Sequence, residues 1–362
     1  MPSRASQPDG RPTVAERSEA ELIATIQSHL APPPAWLLVG IGDDAAVAEP
    51  ERNRLEVFTV DGIVDGVHVD RRFTPPDAVG YRALAVNLSD LAAMGATPRL
   101  ALLSLMLPHS LAYDDFEQLV IGLTRLARQH AVHVVGGNLT HTSGPLVVDV
   151  TAVGAIKRRD VLTRSGARPG DEVYVSGAVG SASVGLQWLR SVAEDTANEG
   201  GAVSRPASQG PTGTAVDGCI ARYLNPEPRV RLGVLLARNR AATACVDLSD
   251  GLGDGVRRIA DASGVGIAIN AADIPVAPEA RWWYEAAGLD PVASAVAAGD
   301  DYELLFTVQP RSRGRLRAVA RHCGTTMTRI GVCTKESTVV LRRVRDGVAS
   351  EEPLPQGYHH FG

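Results

Sequence analysis

The spacing of apolar and polar residues predicts alternating strands and helices along most of the chain. Ser18, with Glu21 three residues on, forms a capping box, and the helix it opens runs to about Leu30, where Ala31-Pro32-Pro33-Pro34 stops it. Leu55-Glu-Val-Phe-Thr-Val60 reads as a strand. Pro76 suits the first turn of a long helix to Met94, with Gly95 beyond its end. Leu100 to Leu107 reads as a buried strand, Tyr113 to His130 as a helix, His133 to Val135 as a strand ending at Gly136-Gly137, and Leu146 to Ile156 as a further strand. This alternation is that of an α/β or α+β domain.

Arg168-Pro-Gly-Asp171 reads as the turn that opens a second domain. Beyond it the pattern predicts a helix over Arg229–Arg238, a strand at Ala244–Val246 and a helix from about Leu252 to Ala262, ended by Gly264. Strands follow near 265–269, 303–308, 327–332 and 339–341. Residues 1–17 are polar and predicted to be disordered. Residues 191–215, rich in Ala, Gly, Ser, Thr and Pro with little periodicity, read as a mobile insertion. The expected organisation is therefore 1–17 as an extension, 18–160 as one domain and 161–362 as another, which suits a 362-residue chain.

Composition narrows the class. Hydrophobic content of 44% and charged content of 21% are those of a globular protein. A net charge of −5 with no basic tract argues against a nucleic-acid binder. No apolar run is long enough to span a bilayer, and no signal region is visible, so the expected setting is cytoplasmic, with the four cysteines as reduced structural thiols.

Candidate chemistry lies in acidic clusters set among glycines: Asp43-Asp44, Asp61 with Asp65, Ser89-Asp90, Asp247-Leu-Ser249-Asp250, and Asp300-Asp301-Tyr-Glu303. Gathered carboxylates repel one another and are tolerated where hard cations sit between them. Mg²⁺ prefers such oxygens together with phosphate. The chain has only two lysines, Lys157 and Lys335, and neither lies in a phosphate-binding Gly-x-x-x-x-Gly-Lys loop. Phosphate chemistry here would rest on Mg²⁺, arginine and backbone N–H groups.

Each feature also has an ordinary explanation. Asp43 and Asp44 suit a turn. Asp90 lies in a helix apolar nearly all round, so burial is expected; a buried ion pair or a helix cap would account for it without a metal. Asp250 suits a helix N-cap, whereas Asp247, at a strand end, does not. Gly136-Gly137 fits either a backbone approach to phosphate or a bulge. His68 and Arg164 are residue types common on surfaces, and Trp282-Trp283 suits packing.

In order and spacing the motifs resemble those of the thiamine-monophosphate kinase family, of the superfamily that includes aminoimidazole-ribonucleotide synthetase. The matching blocks are Gly40–Val47, Asp61–His68, Ala85–Gly95, Leu162–Gly170, Val246–Leu252, Gly299–Phe306 and Gly357–Phe361. The resemblance implies a two-domain aminoimidazole-ribonucleotide synthetase-like α/β fold. Its N-terminal domain forms a β-barrel across a homodimer, with nucleotide in the cleft between the domains and near the dimer interface.

By the same resemblance, ATP and several Mg²⁺ ions serve to phosphorylate thiamine monophosphate to thiamine diphosphate, the last step in making that cofactor, by direct in-line transfer. Positioning and metal ions, with no catalytic side chain, do the work. Asp44, Thr59, Asp61, Asp90, Asn138, Asp247 and Asp250 fall on metal positions. Gly136, Gly137, Arg164 and Ser249 fall on ATP positions, and His68, Asp300 and Tyr358 on substrate positions.

Three positions depart from the family pattern: Asn138 replaces an Asp, Val60 a Thr, and Asp300 a Glu. Asn138 removes a charge while keeping an oxygen, and Asp300 shortens a substrate-facing carboxylate. Two other readings stay open at this point: a superfamily paralogue that activates a different acceptor, and a non-catalytic nucleotide-binding protein.

Overall fold

The computed structural model describes residues 10–197, 214–345 and 348–357. These fall into two compact units. The first takes 10–52, Phe58–Asn87 and Pro98–Gly154; the second takes Asn53–Val57, Leu88–Thr97 and the described residues from Ala155 onward. The division differs from a single cut near residue 160, because the end of one long helix, carrying Asp90, belongs with the second unit.

The first unit begins with α1 (Glu19–His29), opened by the predicted capping box, in which Ser18 and Glu21 satisfy each other's backbone N–H groups. Order starts before it: Thr13 bridges Ala112, and Val14 is buried. An apolar side chain there finds a core, which corrects the expectation of disorder over residues 10–17. The short strands β1 (Leu37–Val39) and β2 (Val47–Ala48) pair antiparallel. Then come β3 (Leu55–Val64), α2 (Pro76–Ala93), β4 (Thr97–Pro108), α3 (Tyr113–Gln129), β5 (His133–Thr142) and β6 (Val147–Ile156).

The main sheet has the order β3-β6-β4-β5, so β3 and β5 are its two edges. Residues Ala78 to Ser89 of α2 are buried without a break. Helix α3 packs on α2 at backbone contact. A Cβ built on Gly80 would lie 1.9 Å from the Leu119 carbonyl oxygen, and one on Gly122 would lie 1.8 Å from that of Asp77. Only glycine permits that approach.

Strand β5 does not end at Gly136-Gly137 as the sequence predicts. It runs on in parallel with β4 to Thr142, after a bulge at Val135 where the register shifts between Ala101 and Leu102. On the opposite face from the buried positions the sheet is open: Phe58 is 66% exposed, Val60 58% and Leu102 39%.

The second unit is built on a seven-stranded sheet with helices packed on it. Its elements are β7 (Glu172–Ser176), α4 (Ser181–Ala197), α5 (Thr214–Leu224), α6 (Val230–Asn239), β8 (Ala244–Asp247), α7 (Leu252–Ser263), β9 (Gly266–Asn270), α8 (Pro278–Ala286), α9 (Pro291–Ala297), β10 (Leu304–Val308), α10 (Arg313–Cys323), β11 (Met327–Thr334), β12 (Val339–Arg345) and β13 (Val348–Pro353). The strand order is β13-β12-β9-β11-β7-β10-β8. The pairs are antiparallel except β12 with β9.

Residues 191–197, expected in a mobile insertion, continue α4, and 214–215 open α5; the rest of that segment lies outside the described residues. The Trp pair packs as expected: Trp283 is buried, donates to Gln187 and meets Trp188 edge-on. All four cysteines are buried and free. No helix among the described residues is long and apolar enough to cross a membrane.

Candidate active site

The second unit gathers the most informative group. Strand β8 ends in Asp247, 7% exposed, and its Oδ2 accepts a hydrogen bond from Ser89 Oγ at 2.8 Å. Ser89 and the half-buried Asp90 lie in the last turns of α2. Burial first, and the Asp90 charge second, push the Asp247 carboxyl up to about 6, while Ser89, Arg164 and Arg258 oppose the rise. A buried carboxyl group is thus held beside a second, half-buried one, the expense predicted for a cation site.

Asp250 does not cap α7, whose N-cap is Gly251 with no side-chain bond. Its Oδ2 instead lies 2.5 Å from Arg258 Nη2, and Arg258 also pairs with Asp254. Ser249 accepts the Asp300 N–H through its carbonyl at 2.8 Å, which ties the loop after β8 to the loop before β10. Arg164 is exposed on its loop, its carbonyl bonded by Ser263.

The acidic run 300–303 separates into three roles. Asp301, 2% exposed, accepts the N–H groups of Gly180 and Ala182 at the start of α4. Glu303 is fully buried and takes Arg229 Nε at 2.7 Å, Arg222 Nη2 at 2.6 Å and Ser176 Oγ. Both are structural. Only Asp300 remains as a site candidate. It holds a positive φ of 68°, Tyr302 holds one of 50°, and the Tyr302 hydroxyl meets Asp300 Oδ1 at 3.2 Å. Two non-glycine residues in that region mark a loop held in a costly conformation.

In the first unit the expected site residues divide between the two edges of the sheet. Thr59 and Asp61 lie on β3, with His68 in the turn after it. There Val64 N–H donates to His68 Nδ1 at 3.1 Å, leaving the ring proton on Nε2. Gly136, Gly137 and Asn138 lie on β5, three strand spacings away, roughly 14 Å.

The Asp44 loop accompanies β5: a Cβ on Gly136 would lie 4.0 Å from that of Ala46. Asn138 pairs with Ser104 on the open face, whereas Thr59 and Asp61 alternate with the exposed Phe58 and Val60 and take the other face. Within one chain Asn138 and the Thr59–Asp61 pair thus lie on different edges and opposite faces of the sheet, so they would serve different ions of the several expected. Gly137 also needs no phosphate to explain it, since a Cβ there would sit 1.8 Å from the Leu103 carbonyl oxygen.

Among the described residues, no three His, Cys, Asp or Glu side chains converge as a metal site. The Asp90–Asp247 pair still fits Mg²⁺. Its donors are carboxylate oxygens, and Mg²⁺ characteristically takes one or two carboxylates and completes its shell with water and phosphate. Tyr358 lies outside the described residues. The sequence reading did not single out Arg258, which holds Asp250, or Asn87, which is fully buried and bonds the Asp61 carbonyl through Nδ2 at 3.3 Å. Asn87 stands within the buried stretch Ala78 to Ser89 of α2.

Comparison with known proteins finds relatives along most of the chain. Residues 42–156 match the N-terminal domain of AIR synthase related proteins, and 168–343 match their C-terminal domain. The chain is 32% identical to a thiamine-monophosphate kinase of Bacillus subtilis, over 89% of this chain and 93% of that protein. A crystal structure of thiamine-monophosphate kinase from Stenotrophomonas maltophilia superposes with a TM-score of 0.76 at 35% identity, covering 92% of this chain and 98% of that one. The structure of AaThiL complexed with AMPPCP and TMP gives 0.70 at 30% identity, covering 99% and 100%. The chain belongs to the thiamine-monophosphate kinase family, built from the two domains of AIR synthase related proteins.

Proposed function

We propose that this protein transfers the γ-phosphoryl group of ATP directly to the phosphate of thiamine monophosphate, giving thiamine diphosphate and ADP. Kinship over nearly the whole chain supports the substrates: a relative of 30% identity is solved with AMPPCP and TMP. At the site, the observation that carries the reading is the buried Asp247 carboxylate beside Asp90. The acceptor is itself a phosphate, largely ionised near neutral pH, so no side chain need remove a proton. The protein's work is to bring two polyanions into line.

Asp90 and Asp247 would hold Mg²⁺, and Ser89 fixes the orientation of Asp247 Oδ2. When bound, Mg²⁺ offsets repulsion between the two phosphate chains and stabilises the charge on the transferring oxygens. Arg164 offers an exposed guanidinium suited to phosphate, and Asp300, steadied by Tyr302, faces recognition of the acceptor.

The reading includes a homodimer. The open sheet face bearing Phe58, Val60 and Leu102 is an apolar surface of the kind a partner covers. Closing two four-stranded sheets edge to edge makes an eight-stranded barrel. One such closure would set the β3 edge of one chain beside the β5 edge of its partner, and so bring the Asp44 loop of one near Thr59 and Asp61 of the other. A cytoplasmic setting agrees with four free, buried thiols.

The test is to incubate the protein with Mg-ATP and thiamine monophosphate and separate the products. Thiamine diphosphate and ADP should appear in equal amounts. ADP without thiamine diphosphate would move the acceptor to another compound, and bound ATP with no turnover would leave a nucleotide-binding protein.

A further inference from the structure

We propose that the second unit carries a separate, metal-independent site for a polyphosphate anion, in the cavity beside the turn from α2 to β4. The cavity has a volume of about 420 Å³, within the range of small-molecule sites, about 300–1,000 Å³. Arg54, Lys157, Arg159 and Arg238 line it, and Asp160 is the one carboxylate in its wall. Four cationic side chains and one carboxylate thus share its wall, in a chain whose net charge is −5. Asp160 is 8% exposed and lies between Arg159 at 3.7 Å and Arg240 at 3.9 Å. It is thus shared with a cation outside the lining and does little to neutralise the cavity.

The backbone builds this concentration of charge. Gly95, past the end of α2, is also in the wall, and a Cβ there would lie 2.5 Å from that of Ala237. The missing side chain lets α6 come close, and Arg238, the residue after Ala237, reaches the cavity. Lys157 and Arg159 arrive from the segment directly after β6, and one of only two lysines in the chain is spent here.

Like charges gathered in a concave wall repel one another and focus a positive potential into the cavity. A guanidinium presents forked donors that match phosphate oxygens, and lysine adds a point charge. Three arginines and a lysine around one cavity suit a chain of linked phosphates, whose several charged oxygens engage them together. None of the residues assigned to the candidate active site lines the cavity. The sign of the charge is also opposite. The acidic active site repels an anion unless a cation is present, whereas this cavity attracts one without help.

That contrast gives the test, which does not depend on the kinase reading. Sodium tripolyphosphate is titrated calorimetrically into the full chain in low-salt buffer containing EDTA. One binding event per chain is expected, weakening as salt is raised. The double variant Lys157→Gln/Arg238→Gln, changed at two exposed side chains, should bind at least tenfold more weakly while keeping the turnover of the unchanged protein with Mg-ATP. Arg238→Glu should weaken binding further, and Lys157→Arg should retain it. Asp247→Asn should bind tripolyphosphate as the unchanged protein does. Repeating the titration with ATP in EDTA distinguishes a nucleotide from inorganic polyphosphate as the occupant; either occupant supports the site if the double variant loses it. Absence of binding in EDTA, equal affinity in the double variant, or loss of binding in Asp247→Asn would overturn the proposal.

Discussion

At Asp247 charge and burial conflict, and the conflict makes opposite predictions for stability and activity. Replacing it by Asn removes a buried charge next to Asp90 while keeping an oxygen for the Ser89 hydroxyl. In EDTA, Asp247→Asn should unfold at the same urea concentration as the unchanged protein or a higher one. Its turnover should fall about a hundredfold or more, the scale of losing one preorganised charge at a phosphoryl-transfer site. A fall in both would mean that Asp247 serves the fold alone. Asp301 gives a pH prediction. Burial first, opposed by the Gly180 N–H and reinforced by the Glu303 charge, raises its carboxyl from 3.8 to about 7. The folded state therefore binds this proton more tightly than the unfolded chain. Its contribution to stability is complete below about pH 4 and is lost as pH rises to about 7, the reverse of a salt-bridged carboxylate. In urea titrations across that window, Asp301→Asn should remove a downward slope that the unchanged protein shows. An identical slope in both would place the proton elsewhere.

Among the elements, α2 and α3 come to backbone contact at Gly80 and Gly122. Gly122→Ala should lower the unfolding free energy by about 3 kcal/mol or more, because the new methyl group meets the Asp77 carbonyl and the helices must separate. The exposed Gly218 in α5, where a Cβ would meet nothing within 4 Å, is the control. Gly218→Ala should stabilise by about 0.4–1 kcal/mol through helix propensity and the unfolded state. Equal effects in urea denaturation would show that helix packing does not distinguish the two sites. The same comparison explains what the sequence makes legible. The Ser18 capping box, the span of α2, the turn at Arg168–Asp171 and the Gly264 end of α7 are local signals and appear where predicted. Features that depend on distant partners do not read locally. The 300–303 run looks like one acidic cluster, but Arg222 and Arg229, some 70 to 80 residues earlier, claim Glu303, and the start of α4 claims Asp301. Gly136-Gly137 looks like a strand end. Continuation of β5 rests on pairing with β4, which no window around residue 136 contains.

For the whole molecule the decisive geometry is the separation of the two sheet edges. Thr59 and Asp61 stand on β3, while Asn138 and the Asp44 loop stand on or beside β5, with two strands between. A site that drew on both groups would take them from opposite edges of the sheet. The homodimer reading assembles each site from the β3 edge of one chain and the β5 edge of the other. Intersubunit complementation measures this directly. Asp61→Asn and Asp44→Asn should each be nearly inactive alone. Unfolded together and refolded as a mixture, half of the dimers would be mixed. In a mixed dimer one site collects both lesions and the other collects neither, so the preparation should recover about a quarter of the unchanged activity. Mixing two β3-edge variants, Asp61→Asn with Thr59→Val, should recover nothing, since every site then carries a lesion. A second expectation fixes the contact surface: Phe58→Asp with Val60→Asp places two charges on the open face and should yield monomers by light scattering, with activity lost. Recovery absent from the first mixture, in protein shown to have refolded as dimers, would mean that each chain completes its own site by bringing other oxygens to Asp61.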